Sequence, residues 1–253
     1  MNEILAVALS SMQQDMNRLD RVASNLANVT TPGFKREILV TPPFGDSIEA
    51  AMGAARPSPG PAAAPVVLTD HRPGTLRITS QPLDLAIEGD AYFEVQTSSG
   101  PAFTRQGDFQ VDARGRLVTS RGEPVMGTAG EIILSSQRPV IDPDGKVTEP
   151  LAAGGPGSGS PGTVIGQLKL VRLEDPAGLR RLGNGQVATS GQAHPVDDGQ
   201  ARVRQGALEN SNVSSAQEMV QLMQTMRHFE SMQRVAQGYD EMLGASIRKL
   251  GDL

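Results

Sequence analysis

Few residues in this sequence have the types and the spacing that catalysis needs. The three histidines, His71, His194 and His228, lie far apart, without the short intervals that bring metal ligands together. Ser246 and Lys249 form a Ser-x-x-Lys pair, which some acyl-transfer enzymes use for a nucleophilic serine. Because the companion motifs are missing and the pair ends a helical segment, we interpret it as accidental. The sequence predicts no catalytic residue and no metal site, so the protein is expected not to be an enzyme.

A glycine-rich run has the spacing of a dinucleotide-binding loop. Gly157, Gly159 and Gly162 match Gly-x-Gly-x-x-Gly. A true loop of this kind follows a strand and opens a helix, whereas here Pro161 interrupts the run. We interpret it as a flexible loop and expect no cofactor. Residues 142–145 are likewise predicted to form a tight turn, because the later ligand positions of a calcium loop are absent.

Composition narrows the classes of partner. The 253 residues carry a formal net charge of -5 without a basic cluster, so no nucleic-acid partner is expected. The absence of cysteine excludes disulfides, thiolate metal sites and a cysteine nucleophile. No apolar run is long enough to span a bilayer. The start of the chain has an acid at Glu3 and only a short apolar patch, so it does not resemble a cleaved secretory signal peptide.

The elements that could organise such a chain lie at its two ends. Residues 211–253 contain no proline, and Ser215 followed by Glu218 predicts a capping box at a helix start. Beyond it, apolar residues recur at steps of three and four, which is typical of the seam of a coiled coil. These residues are Phe229, Met232, Ala236, Tyr239, Leu243, Ser246 and Leu250.

The first 29 or so residues show the same pattern and predict a second long helix. Pro32 and Gly33 end it, because proline cannot continue a helix. Its apolar stripe consists of Leu5, Leu9, Met12, Met16, Leu19, Ala23 and Leu26. One such stripe could pack inside the protein's own core. Two such helices, one at each end of a chain whose middle shows a different pattern, favour a stalk or an assembly module.

The middle of the chain is predicted to be β-rich and antiparallel, because its short strand candidates are separated by close turns. The candidates are residues 83–87, 92–97, 103–105, 109–111, 132–134, 140–141 and 166–173. We interpret Arg105 and Asp108 as polar residues that stabilise a hairpin turn. The predicted fold class is α+β: terminal helices that form a coiled-coil-like module, with a central antiparallel β domain. The predicted parts are residues 1–31, an extended connector at 32–75, the β-rich domain at 76–207, and the last helix with its lead-in at 208–253.

Two short runs of the sequence resemble signatures of the bacterial flagellar rod, hook and hook-associated proteins. The first closes the first helix, and the second leads into the last one. The first signature comprises Ser24, Asn25, Leu26, Ala27, Asn28, Pro32, Gly33 and Phe34, and the second comprises Gly206, Leu208, Glu209, Ser211, Asn212 and Val213. Residues 83–127 resemble the core of the same family. Phe44 and Ile48 resemble its short export signal.

The resemblance implies a structural role in the flagellar basal-body rod, the shaft that carries torque from motor to hook. Subunits of such a shaft stack helically through contacts between unlike patches. The implied partners are other copies of the chain, other rod proteins and the flagellar type III export apparatus, with no small-molecule substrate. The implied location is the periplasmic rod, reached without a cleaved signal peptide. The expected assembly interface is Leu5, Leu9, Met12, Met16, Leu19, Leu26, Phe229, Met232, Tyr239, Leu243 and Leu250.

The resemblance is strongest to the proximal-rod subclass, and the distal-rod subclass or another flagellar axial protein is the alternative. Two other classes of function stay open. One is a self-contained binding or adaptor protein whose terminal helices pair within the chain. The other is a hydrolase with its catalytic residues assembled from loops.

Overall fold

The computed structural model describes residues 2–40, 66–136, 138–149, 162–173, 179–183, 185–189, 191–196 and 199–251. Phe44, Ile48 and the glycine run at 157–162 lie outside the described residues, apart from Gly162 itself. The chain divides into two units. The first contains residues 1–27, 37–70 and 213–253, and the second contains residues 28–36 and 71–212.

The first unit contains two long helices, α1 (Asn2–Ala27) and α2 (Ser215–Gly251), with a ribbon of β1 (Glu37–Val40) and β2 (Val66–Thr69). The helices pack against each other. Asn25 bonds to Glu218 near the start of α2, and Asp15 bonds to His228 farther along. Moving backwards on α1 therefore means moving forwards on α2, so the helices are antiparallel.

Helix α2 shows the predicted periodicity and extends it upstream. Between residues 218 and 239 its least exposed side chains recur at steps of four and three: Glu218, Leu222, Thr225, Phe229, Met232, Ala236 and Tyr239. The first intrahelical bond runs from the Glu218 N–H to the Ser214 carbonyl at 3.0 Å. Ser214 is therefore the N-cap residue, one position before the predicted Ser215.

The buried side of helix α1 coincides only in part with the predicted apolar stripe, of which Leu5, Met12, Leu19 and Leu26 are half-buried. Its buried residues are Ala8, Asp15, Val22 and Asn25, whereas Leu9 and Met16 are more than half exposed. Small side chains permit close approach of a neighbouring helix, and Asp15 and Asn25 gain hydrogen-bond partners there. Sequence periodicity ranks positions by apolarity, and it therefore missed the buried polar residues Asp15 and Asn25 of this side.

The second unit is built from short strands, and all strand pairings in its described part are antiparallel, as predicted. Its strands are β3 (Leu76–Ile78), β4 (Leu85–Glu88), β5 (Tyr92–Thr97), β6 (Gly100–Thr104), β7 (Gln110–Val111), β8 (Leu117–Val118), β9 (Met126–Gly127), β10 (Gly130–Glu131), β11 (Val140–Ile141), β12 (Lys146–Glu149), β13 (Thr163–Gln167), β14 (Leu170–Leu173), β15 (Leu179–Gly183), β16 (Gln186–Thr189), β17 (Ala193–Pro195), β18 (Arg202–Gln205) and β19 (Ala207–Glu209).

The largest sheet has six strands in the order β15-β16-β6-β5-β14-β17. Because neighbouring residues of a strand point to opposite faces, Phe93 packs into the main core while Tyr92 packs into a smaller cluster on the other face. Phe93 and Phe109 meet edge to face, with ring centroids 5.0 Å apart. A three-stranded sheet, β11-β12-β13, and four two-stranded pairs complete the described part of the unit.

Two strand predictions are wrong. Residues 166–173 do not form one strand, because the Leu168 N–H bonds to the Gly145 carbonyl and the Lys169 N–H bonds to the Met126 carbonyl. These bonds divide the segment between β13 and β14, which belong to different sheets. Residues 132–134 contain only an isolated bridge at Ile133, since β10 has already ended at Glu131. Residues 142–145 do form the predicted tight turn, in which the Gly145 N–H bonds to the Asp142 carbonyl.

Candidate functional site

The end of the first signature and part of the second meet in the second unit. We call their meeting place the signature junction (residues 33–36, 72–74 and 209–212). The Gly33 N–H donates to the Glu209 carbonyl at 2.7 Å, and the Arg36 N–H donates to Asn212 Oδ1 at 2.7 Å. The Asn212 amide nitrogen Nδ2 donates to the Arg72 carbonyl at 2.9 Å. Backbone and side-chain bonds therefore fasten a segment near the start of the chain to one near its end.

The centre of the signature junction is a buried carboxylate between two buried cations. Glu209 is 1% exposed, Lys35 is 6% exposed and Arg105 is 5% exposed. Lys35 Nζ lies 2.5 Å from Glu209 Oε1, and Arg105 lies 3.4 Å from Oε2. The Gly74 N–H also donates to Oε1, at 2.9 Å. Buried charges are tolerated only when they are paired and hydrogen-bonded, and each charge here meets that condition.

Arg105 does not stabilise a turn with Asp108, contrary to the prediction. Its guanidinium donates to the carbonyls of Ile87 and Gly89, at 3.3 and 2.7 Å, in addition to its contact with Glu209. The Asp108 carboxyl instead accepts hydrogen bonds from its own backbone and from Ser120, and partial burial raises its pKa above the usual range against them. The turn signal in the sequence carried no information about the acid that pairs with Arg105, which is far away along the chain.

Two glycines let the backbones approach closely at the junction. Gly33 has a φ of +66°, and a Cβ atom there would lie 2.4 Å from the carbonyl carbon of Arg105. At Gly74 a Cβ would lie 1.9 Å from the Asn210 carbonyl oxygen. Both distances are far inside van der Waals contact, so a side chain would force these backbone segments apart.

Phe34 is the apolar anchor that follows the turn. It is buried, and the Arg181 guanidinium carbon lies 5.3 Å from its ring centroid. Arg181 also donates to the Lys35 carbonyl at 2.7 Å. Sequence reasoning missed Arg181, because nothing in the local pattern of β15 distinguishes it from the preceding Arg180.

A tyrosine and a histidine border the same cluster. The Tyr92 hydroxyl lies 2.8 Å from His71 Nδ1, and Arg105 stacks at 5.1 Å from the Tyr92 ring centroid. Burial raises the pKa of the Tyr92 hydroxyl above its ordinary value, and the positive charge of Arg105 opposes that rise. His71, for which the sequence predicts no role as a metal ligand, lies beside the un-ionised hydroxyl of Tyr92.

In the first unit, Asn25 joins α1 to both of its neighbours. Its amide oxygen accepts the Glu37 N–H at 2.8 Å, and its amide nitrogen donates to the Glu37 carbonyl at 2.9 Å and to Glu218 at 3.3 Å. Arg21 forms an ion pair with the Glu37 carboxylate at 3.0 Å. One signature residue of α1 therefore positions both the first strand and the start of α2.

His228 is half exposed, yet its Nδ1 lies 2.6 Å from the buried carboxylate of Asp15. The pair lies in the interface between the two helices. The predicted solvated position is therefore only partly right. His194 lies on the edge strand β17 opposite Arg172.

The predicted interface residues lie in two environments. Leu5, Met12, Leu19, Leu26, Phe229, Met232 and Tyr239 are half-buried, and Leu9 and Met16 are exposed. The side chains of Leu243, Ser246, Lys249 and Leu250 lie outside the described residues. Further exposed apolar side chains of the first unit are Ile38, Val40, Val66, Val67, Leu68, Met219, Val220, Met223, Met226, Val235 and Met242.

Reactive clusters are sparse in the described part of the chain. No group of three or more histidine, aspartate or glutamate side chains there could hold a metal ion. None of the described helices is long and apolar enough to cross a membrane. The buried cluster of Lys35, Arg105 and Glu209 consists of paired charges that connect three separate segments of the chain.

Known proteins match the chain from end to end. A profile described as flagella basal body rod protein matches residues 5–35. One described as the flagellar hook protein FlgE/F/G D1 domain matches residues 86–149, and one described as the flagellar basal body rod FlgEFG protein C-terminal region matches residues 204–249. The Escherichia coli flagellar basal-body rod protein FlgF is 33% identical over 99% of both chains. This chain belongs to the flagellar basal-body rod protein family.

Relatives of both named subclasses are about equally similar. FlgF of Rhizobium meliloti is 34% identical over 98% of this chain and 97% of its own length. FlgG of Bacillus subtilis is 31% identical over 93% of this chain and 94% of its own length. The family is structural, so the chain is a flagellar structural protein and not an enzyme. The first match covers most of α1 and the first signature, and the second covers the core from within β4 to the end of β12. The third covers α2 except for its last two residues.

Proposed function

We propose that this chain is a subunit of the proximal part of the flagellar rod, of the FlgF type, and that it joins other rod subunits through its first unit. One observation carries the proposal: α1 and α2 keep large apolar side chains exposed after they have packed on each other. Leu9, Met16, Met219, Met223 and Met226 lie on these helices, away from the rows that the helix pair buries. Exposed apolar surface of this extent on an isolated subunit is typical of a protein interface.

The ribbon of β1 and β2 adds to the same surface. Ile38 pairs with Leu68, Leu39 with Val67 and Val40 with Val66, so both faces of the ribbon are apolar. An isolated two-stranded ribbon is marginally stable in water. Packing against a neighbouring subunit would bury these side chains, at a gain of about 25 cal/mol per Å² of apolar surface.

The remaining parts of the proposal follow from family membership. The partners are copies of the chain and other rod proteins, in a helical array whose contacts join unlike patches. The location is the periplasmic rod, which the chain reaches through the type III export apparatus without a cleaved signal peptide. We propose Phe44 and Ile48 as the export signal. The terminal helices would form coiled-coil-like contacts with those of neighbouring subunits.

The FlgG type is the alternative subclass. A second function class, a self-contained adaptor, is favoured by the packing of α1 on α2 within one chain. The two classes differ in what the exposed apolar residues do. If the chain is an adaptor, rods assemble without these exposed apolar residues. If the chain is a rod subunit, neighbouring subunits bury them.

The test replaces the chain in its own bacterium by the double variant Leu9→Gln with Met16→Gln. The matched control carries Ser10→Gln with Asp20→Gln, two exposed polar positions of the same helix. We expect the variant with glutamine at residues 9 and 16 to be exported and folded, but its cells to lack complete rods and motility. Cells with the control variant should swim. Deletion of residues 211–253 should also abolish rods. Normal swimming of the double variant would reject the interface, and normal swimming after the deletion would reject the structural role.

A further inference from the structure

Three methionines form one exposed stripe on α2. Met219, Met223 and Met226 are separated by steps of four and three, so they lie on one side of about two helical turns. Each is about half exposed. The row that α2 buries, which includes Leu222 and Thr225, is a different one.

Methionine is the residue type that supplies the sulfur atoms of this protein. The chain has ten methionines and no cysteine, so no thiol competes for an oxidant. Susceptibility of a thioether to oxidation follows its exposure. Met12, Met126 and Met232 are half-buried and serve as internal references within the same molecule.

We propose that Met219, Met223 and Met226 are a peroxide-reactive modification site, and that their oxidation prevents the subunit from joining the rod. The thioether sulfur attacks one oxygen of a hydroperoxide. A sulfur–oxygen bond forms, the oxygen–oxygen bond breaks, the sulfur is oxidised by two electrons and hydrogen peroxide is reduced to water. The product is methionine sulfoxide, a polar and chiral group in place of a flexible apolar one.

The consequence for assembly rests on the proposed function. If the stripe packs against a neighbouring subunit, three sulfoxide oxygens must be buried there. An unpaired polar group buried in an apolar contact opposes association. Once a subunit has joined the rod, its neighbours would shield the sulfur atoms, so the sensitive species is the subunit before assembly.

The first experiment maps the site on the purified full-length chain. Limited hydrogen peroxide is added, and the sulfoxide on each methionine is followed by peptide mass spectrometry. We expect Met219, Met223 and Met226 to oxidise several-fold faster than Met12, Met126 and Met232, as their exposure requires. Equal rates at the two sets would overturn the site.

The second experiment tests the consequence in cells that produce only a variant chain. Met→Gln at residues 219, 223 and 226 imitates the polar sulfoxide, and Met→Leu at the same residues keeps an apolar side chain of similar volume. We expect the glutamine variant to lose rods and the leucine variant to keep them. The control Arg227→Gln with Arg234→Gln changes exposed polar positions of the same helix and should swim.

The outcomes separate this inference from the proposed function. Motile cells with the glutamine variant would overturn the effect of oxidation on assembly. If the unmodified chain is absent from isolated basal bodies, the proposed function fails, while the peroxide map still decides whether the modification site exists.

Discussion

The backbone N–H of Gly33 lies 2.7 Å from the carbonyl oxygen of Glu209 and donates a hydrogen bond to it. The first residue follows the helix at one end of the chain, and the second precedes the helix at the other end. The Glu209 side chain strengthens the same connection, because its carboxylate accepts from Lys35 and from the Gly74 N–H. The end of the first family signature and most of the second therefore meet in one structural junction within the second unit.

Glu209→Gln should be among the most destabilising single substitutions in the second unit. It removes the negative charge that lies 2.5 Å from Lys35 Nζ and 3.4 Å from Arg105 Nη1, both of them buried cations. Loss of one partner of a buried charge pair costs about 3–5 kcal/mol. Urea unfolding followed by circular dichroism measures the loss.

Glu88→Gln is the matched control for that experiment. Glu88 pairs with Arg204 at 3.2 Å, and both side chains are substantially exposed. Exposed ion pairs contribute about 0–1 kcal/mol. If the two variants unfold at the same urea concentration, the buried cluster does not stabilise the junction.

Gly33→Ala tests the close approach at the junction. The new methyl group must occupy a position 2.4 Å from the Arg105 carbonyl carbon while the residue keeps a φ of +66°. Gly122→Ala has the same conformational cost, because Gly122 has a φ of +84°, but no atom lies within 4 Å of the added Cβ. We expect a loss of about 1–2 kcal/mol for Gly122→Ala and at least about 1–3 kcal/mol more for Gly33→Ala.

The difference between the two alanine variants in thermal or urea unfolding is the quantity to measure. This difference separates the free-energy cost of the steric clash at Gly33 from the cost of a positive φ, which both variants share. Equal destabilisation would mean that the backbone at residues 105–106 moves aside without cost.

The signature segments and the fold class could be predicted from the sequence because their determinants are local. Helix α1 ends where Asn28 and Thr31 bond to each other and Pro32 follows, and all three residues lie within one short stretch of the chain. The strand β5 has the predicted bounds, since its apolar and β-branched residues lie between two glycine turns.

The buried cluster could not be predicted, because its members come from three distant segments. Nothing near Arg105 in the sequence indicates that Glu209 accepts a hydrogen bond from it, and Asp108, three residues away, suggested a turn pair instead. The division of residues 166–173 has the same origin. Its cause is the bond from the Leu168 N–H to the Gly145 carbonyl, which only the tertiary structure provides.

Tyr92 should ionise at a pKa above the ordinary tyrosine value of about 10, because its hydroxyl is buried. The chain has two tyrosines, so the variant Tyr239→Phe lets tyrosinate absorbance report on Tyr92 alone. At a pH between the two pKa values, Tyr92 keeps its proton in the native protein and has lost it in the unfolded chain. The free energy of unfolding should therefore fall as pH rises from the unfolded pKa, about 10, through the higher native pKa.

Tyr92→Phe supplies the control for the linkage, since it removes the titrating hydroxyl and keeps the ring beside Arg105. This variant should lose that part of the alkaline slope. Ionisation of Tyr92 at or below pH 10 in the native protein would show that Arg105 outweighs burial.

Asn25 should control the attachment of α1 to both β1 and α2, and two substitutions separate its roles. In Asn25→Ala the Glu37 N–H loses its acceptor and the Glu37 carbonyl loses a donor, so amide exchange at Glu37 should become faster.

In Asn25→Asp a side-chain oxygen still accepts the Glu37 N–H, but the new carboxylate faces Glu218, to which the Asn25 amide nitrogen donates at 3.3 Å in the native chain. Protection of the Glu37 amide should therefore survive in Asn25→Asp, while the helix pair loses stability through repulsion between two poorly hydrated carboxylates. That loss should be about 2–4 kcal/mol, within the range for disrupting buried charges and their networks. Asn17→Asp is the control on the same helix, at a half-buried position. If exchange at Glu37 is unchanged in Asn25→Ala, a signature residue of the first helix does not hold the first strand, and its role must be confined to the contact with Glu218.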